Sequence, residues 1–178
     1  MTAADDILRA RESAPDDSLL ARGTTTQPDS LAEYLGKHPV FQGLDPGQLS
    51  LVVSFASEMD CAAGQRVFKR DFDAHEFFIV RSGKVAIEVP SIDGESLTIQ
   101  TVGDDSLLGW SWFIPPYRWS FDARAVVASR VVSVDGDKLR KACDVDAKLG
   151  YRLMQRFAML MAERLNAARI AAMKHYGG

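Results

Sequence analysis

EFFIVRSGKVAIEV, residues Glu76 to Val89, is the stretch from which the architecture of this chain can be read. An apolar run, Phe77 to Val80, meets Ser82-Gly83, and a second apolar run then alternates toward Val89. Two such runs joined through a glycine predict a strand, a tight turn and a returning strand, because glycine enters a turn at little steric cost. The same punctuation recurs on both sides. QRVFKR, LTIQTV, FDARAVVAS and RVVSVD are further short runs between Cys61 and Val134, with Gly64, Gly94 and Gly103 between them. Regularly spaced short strands of this kind predict an antiparallel β-roll or jelly roll over 61–135.

Moving outward, the pattern becomes helical on both flanks. Ser30 and Glu33 have the spacing of a capping box for a helix beginning SLAEYLGKH, which Pro39 ends. Asp45-Pro46 opens a second, DPGQLSLVVSFASEMD, so 29–60 reads as N-terminal helices. Residues 1–28 carry few large apolar groups and read as a mobile tail, with a brief helix near Ile7–Arg11. After Asp135 a short helix is expected over Gly136–Cys143, then a long one over Asp146–Tyr176, about 46 Å if straight. Its apolar positions Leu149, Leu153, Phe157, Met161, Leu165, Ala168 and Ala172 recur at spacings of three and four, with Arg152, Arg156 and Arg164 beside them. A stripe that long predicts a homodimer seam through 146–176 in preference to a helix that only lies on its own domain.

Composition bounds the function. The 178 residues suit one domain, and a net charge of −3 gives no general attraction to nucleic acid. Residues 1–30 hold six acids and three bases, whereas 146–176 hold six bases and two acids. Cys61 and Cys143 lie far apart without a CxxC, which argues against a metal cluster or a disulfide framework. There is no signal-peptide pattern and no apolar run long enough to span a membrane, so a cytoplasmic protein is expected. No nucleophile elbow, P-loop or metal spacing is present, and His38, His75 and His175 are scattered, so no enzyme is predicted.

Leu107 to Ala128, LLGWSWFIPPYRWSFDARAVVA, holds all three tryptophans of the chain, with Phe113, Tyr117, Phe121 and Pro115-Pro116. A glycine, an aromatic turn, a double-proline loop and a strand have the form of a ligand cassette. Taken together, the order of elements resembles the cyclic nucleotide-binding domain, as in the catabolite activator protein and the regulatory subunits of protein kinase A. HPVFQGLDPGQL resembles that family's entry to its second helix. EFFIVRSGKVAIEV is similar to its strand-turn-strand pattern x-F-Y-I-V-x-x-G-x-V-x-V at Phe78, Ile79, Val80, Gly83, Val85 and Ile87. VGDDSLLGWSW stands where the family has x-G-x-x-F-G-E-x-A-L.

The resemblance, over about 38–176, implies a β-roll with flanking helices and a cyclic nucleotide as ligand. It also implies three contacts: a glycine that lets backbone N–H groups approach the cyclic phosphate, a glutamate for the ribose, and an arginine for the phosphate. Gly109 keeps the glycine position, followed by Ser111 and Trp112, but Trp110 stands at the glutamate. Aligning DARAVVA with R-x-A-x-V-x-A puts Asp122 at the arginine, with Ala123 beside it. An aspartate repels phosphate and an indole cannot accept a hydroxyl hydrogen, so conventional cAMP or cGMP binding is not expected. Arg124, about 6.6 Å along the strand on the same side, or Arg118 from the loop, could instead reach an anion. Alternatively Asp122 and Arg124 neutralise each other while aromatics fill the pocket, or an aromatic ligand stacks between Trp110 and Trp112.

The reading is therefore a non-enzymatic sensor or adaptor acting on an unidentified partner protein, with an altered or occluded pocket. The alternatives are a working cAMP or cGMP regulator, a structural or assembly protein, and a transcription regulator lacking its own DNA-reading helix. Direct DNA binding is not expected from a sequence that stops at KHYGG after the long helix.

Overall fold

The computed structural model describes residues 29–91 and 96–176. The tail reading for 1–28 lies outside the described residues. Helix α1, Leu31–Lys37, starts at the anticipated box: the Glu33 N–H donates to Ser30 Oγ and the Ser30 N–H to Glu33 Oε2. After a 3-10 turn at Pro39–Phe41, helix α2 spans Pro46–Ser54 under the Asp45/Gln48 box. Eight strands follow: β1 Ala56–Cys61, β2 Arg66–Phe68, β3 Glu76–Ser82, β4 Val85–Pro90, β5 Ser96–Val102, β6 Leu107–Leu108, β7 Asp122–Ala125 and β8 Ser129–Asp135. Helices α3, Gly136–Val145, and α4, Ala147–Tyr176, close the described chain.

The strands form two antiparallel four-stranded sheets, ordered β1-β8-β3-β6 and β2-β7-β4-β5. One expectation fails here. The helix anticipated through Asp60 stops at Ser54, and Ala56–Cys61 becomes β1, pairing with β8 from Ala56↔Val134 to Cys61↔Ser129. Local periodicity favoured more helix, but the open edge of β8 offers six residues of hydrogen-bonded ladder. That tertiary gain overrides a weak local preference.

β3 is central because both its faces are covered. Phe77 points toward the helices, edge-on to Phe157 of α4 at 5.6 Å, while Phe78 points across the roll and stacks on Phe68 at 5.7 Å. This is the strand alternation with apolar partners on each side. Gly83 turns the chain into β4 at φ +110°, and a Cβ there would lie 2.3 Å from Ser129 Oγ. Only glycine meets both demands.

α4 divides into two parts. Leu149, Leu153 and Phe157 are buried in the domain's own core. Arg152 donates to Gln48 Oε1 and Arg156 to the Gln42 carbonyl, tying this half to α2 and the turn before it. Met154, Met159, Leu165, Ile170 and Met173 are exposed. The anticipated stripe thus begins as an intramolecular contact and leaves apolar groups uncovered farther along.

Candidate ligand-binding site

The cassette is positioned by β6, two buried leucines paired with Phe78 and Ile79 of β3. The chain leaves β6 through Gly109, at φ +75°, into a 3-10 turn over Trp110–Phe113. A Cβ on Gly109 would sit 2.5 Å from the Trp119 ring, so the glycine is required by conformation and by contact. Trp119 is buried and stacks on Phe68 at 4.3 Å and 20°. An indole therefore lies against the backbone where the family resemblance implies a phosphate.

A cavity of about 350 Å³ opens beside this stack. Gly109, Trp110 and Ser111 line it, with Phe68, Ile87, Ile99, Gln100, Leu108, Trp119, Ser120 and Phe121 from the roll and Met161 and Leu165 from α4. No lining side chain carries a formal charge. Trp110 and Met161 also separate this cavity from a second, almost wholly apolar recess of about 250 Å³ under Ile114, Met154 and Phe157. A wider recess of about 750 Å³ lies between α3, α4 and the cassette loop. Two of its charged groups engage each other: Arg140 pairs with Asp137, donates to the Trp112 carbonyl and lies 4.3 Å over the Tyr117 ring.

The remaining anticipated residues go elsewhere. Trp112 is wholly buried, stacked on Phe77 at 4.9 Å, so no ligand can stack between it and Trp110. Its indole N–H is unpartnered among the described residues. Arg118 turns to Asp73 at 3.5 Å on the surface. Ala123 is buried beneath the sheet. Asp122 accepts the Arg70 N–H at 2.8 Å. Arg124 donates to both oxygens of Glu88 at 3.2 Å and to the Gly64 carbonyl.

The expected Asp122–Arg124 pair is thus not formed, and register supplies the reason. β4 and β7 place Glu88 directly opposite Asp122 and Ala86 opposite Arg124. Arg124 leans diagonally to neutralise Glu88, the more deeply buried carboxylate, while a backbone donor satisfies Asp122. Glu88 and Trp119 carry no site role in the sequence pattern, although Trp119 stands with the other two tryptophans in the cassette. Met161 and Leu165 were visible as part of the α4 stripe. The residues from β2, β4 and β5 carried no local signal.

The thiols are poorly suited to chemistry at neutral pH. Burial, then Asp144 and Asp146, push Cys143 up to about 11, and burial also raises Cys61. A raised pKa keeps the unreactive thiol form.

Residues 58–146 match the sequence family described as cyclic nucleotide-binding domain. A Mycobacterium tuberculosis protein described as a CRP-like cAMP-activated global transcriptional regulator is 27% identical over 108 residues, covering 61% of this chain and 48% of its own length. The chain spans about half the length of the curated relatives it matches. Among solved structures, a Geobacter metallireducens protein described as cyclic nucleotide-binding superposes with a TM-score of 0.70 at 27% identity, covering 77% of this chain and 99% of that one. A cyclic nucleotide-binding domain from Methylobacillus flagellatus gives 0.70 at 15% identity over 83% and 86%, which speaks to fold alone.

Proposed function

The chain belongs to the cyclic nucleotide-binding domain family, and from that premise we propose that it is a non-enzymatic sensor or adaptor that regulates a partner protein through a pocket no longer built for a cyclic nucleotide. The observation carrying this reading is the Trp119 ring against Gly109, in a cavity with no charged side chain. A cyclic phosphate there would lose its hydration and gain no cation, an unfavourable exchange. The exposed apolar groups of α4 support self-association through that helix, the dimeric arrangement anticipated from the stripe. No helix among the described residues is long and apolar enough to cross a membrane.

Titration of the protein with cAMP and cGMP, followed by tryptophan fluorescence, tests the reading. Trp110 and Trp119 line the cavity, so occupancy must register in their emission. No saturable response is expected at micromolar nucleotide. A second reading, a cAMP-binding regulator, is favoured by the description of the mycobacterial relatives, and saturable cAMP binding would establish it in place of ours.

A further inference from the structure

We infer that the cavity under α4 is a binding site for a neutral, largely apolar ring compound of modest size. This rests on the preceding reading that the cassette does not take a cyclic nucleotide. The floor consists of Phe68, Leu108 and Trp119, all buried, and the stacked Phe68–Trp119 pair forms a rigid aromatic wall. Met161 stands opposite on α4, a side chain whose flexible thioether adapts to the outline of an aromatic guest. At about 350 Å³ the cavity falls at the lower end of small-molecule sites, roughly 300–1,000 Å³.

Three uncharged polar side chains, Gln100, Ser111 and Ser120, reach the cavity lining. They can orient a hydroxyl or carbonyl on an otherwise apolar guest, the usual division of labour in such pockets. A formally charged guest finds no counter-charge on any wall, and that sets the class as neutral. Ile99 and Leu165 form an exposed rim from β5 and α4. A small ring compound removes both floor and rim from water.

The test uses the full chain and the neutral fluorophore N-phenylnaphthylamine, with its sulfonated counterpart anilinonaphthalene sulfonate as the charged comparison. Saturable binding of one neutral probe per chain is expected, with energy transfer from tryptophan. The sulfonated probe should bind about tenfold more weakly or worse. Leu165→Glu and Ile99→Glu, both on the exposed rim and so tolerable to the fold, should each weaken the neutral probe about tenfold. Val145→Glu, exposed on α3 and outside the cavity, should leave it unchanged.

Absence of saturable binding, equal affinity for the sulfonated probe, or indifference to both rim substitutions overturns the inference. Affinity that falls as protein concentration rises also overturns it, because a second copy of the chain then fills the site. If cAMP displaces the probe, the underlying reading fails. If neither cAMP nor the probe binds, only the present inference does.

Discussion

Gly109→Ala tests whether an indole, rather than room for a phosphate, defines the cassette. Two costs are separable in the structure. At φ +75° an L-residue adopts the left-handed conformation, which costs roughly 1–2 kcal/mol. The new Cβ would also lie 2.5 Å from the Trp119 ring, and that ring is held by Phe68 behind it. Overpacking of this kind costs roughly 1–3 kcal/mol. The total, about 2–5 kcal/mol, is a large share of a domain's usual stability. In a Trp119→Leu background the clash is relieved and only the backbone cost remains. Urea unfolding of the four proteins, analysed at unchanged m-value, should show a coupling of about 1–3 kcal/mol in that direction. Equal costs of Gly109→Ala in both backgrounds, within about 0.5 kcal/mol, would refute the contact.

Three further outcomes are expected. Trp119→Arg combined with Trp110→Glu supplies a cation and an acceptor beside Gly109, so cAMP affinity measured by calorimetry should rise at least about tenfold over the parent; no gain would show that more than these two side chains blocks the seat. Arg124→Ala leaves Glu88 unpaired, and because the Arg124 side chain is 35% exposed the loss should be held by solvent to about 1–3 kcal/mol in urea unfolding, partly recovered by adding Glu88→Gln. His38 is buried, accepts the Val40 N–H at Nδ1 and donates from Nε2 to the Asp105 carbonyl, and burial holds its pKa below the ordinary value. The unfolded chain therefore takes up the proton first as pH falls through about 6.5. Stability should drop over that window and level off below the folded pKa, and His38→Gln should flatten the pH profile of thermal unfolding.

Much of the fold was legible because its signals are local. The Ser30–Glu33 box, the Asp45-Pro46 helix start, the glycine turn at Gly83 and the change from alternating to helical periodicity after Asp135 each act within a few residues. β1 was misread as helix because Ala56–Cys61 becomes a strand only through β8, more than sixty residues later. The first three positions of the α4 stripe face their own domain rather than a seam for a related reason. Periodicity identifies an apolar face but not the surface that covers it, and Leu149, Leu153 and Phe157 are covered by their own domain.

The candidate site depended still more on tertiary structure. Gly109 was identifiable, since its backbone conformation and the cassette around it are written in contiguous sequence. The fate of each nearby charge was not. Arg124 could have met Asp122, a phosphate or Glu88, and the β4–β7 register selected Glu88. Trp119 could have been core filling anywhere in the roll, and the packing of β2 against the cassette set it on Gly109. Sequence by itself determined most of the strands, turns and helices, β1 excepted, because those preferences are short-range. Only the tertiary structure decided which side chains face one another, and here it chose, among the anion seat, the neutralised pair and the aromatic filling that the sequence left open, an uncharged aromatic cavity.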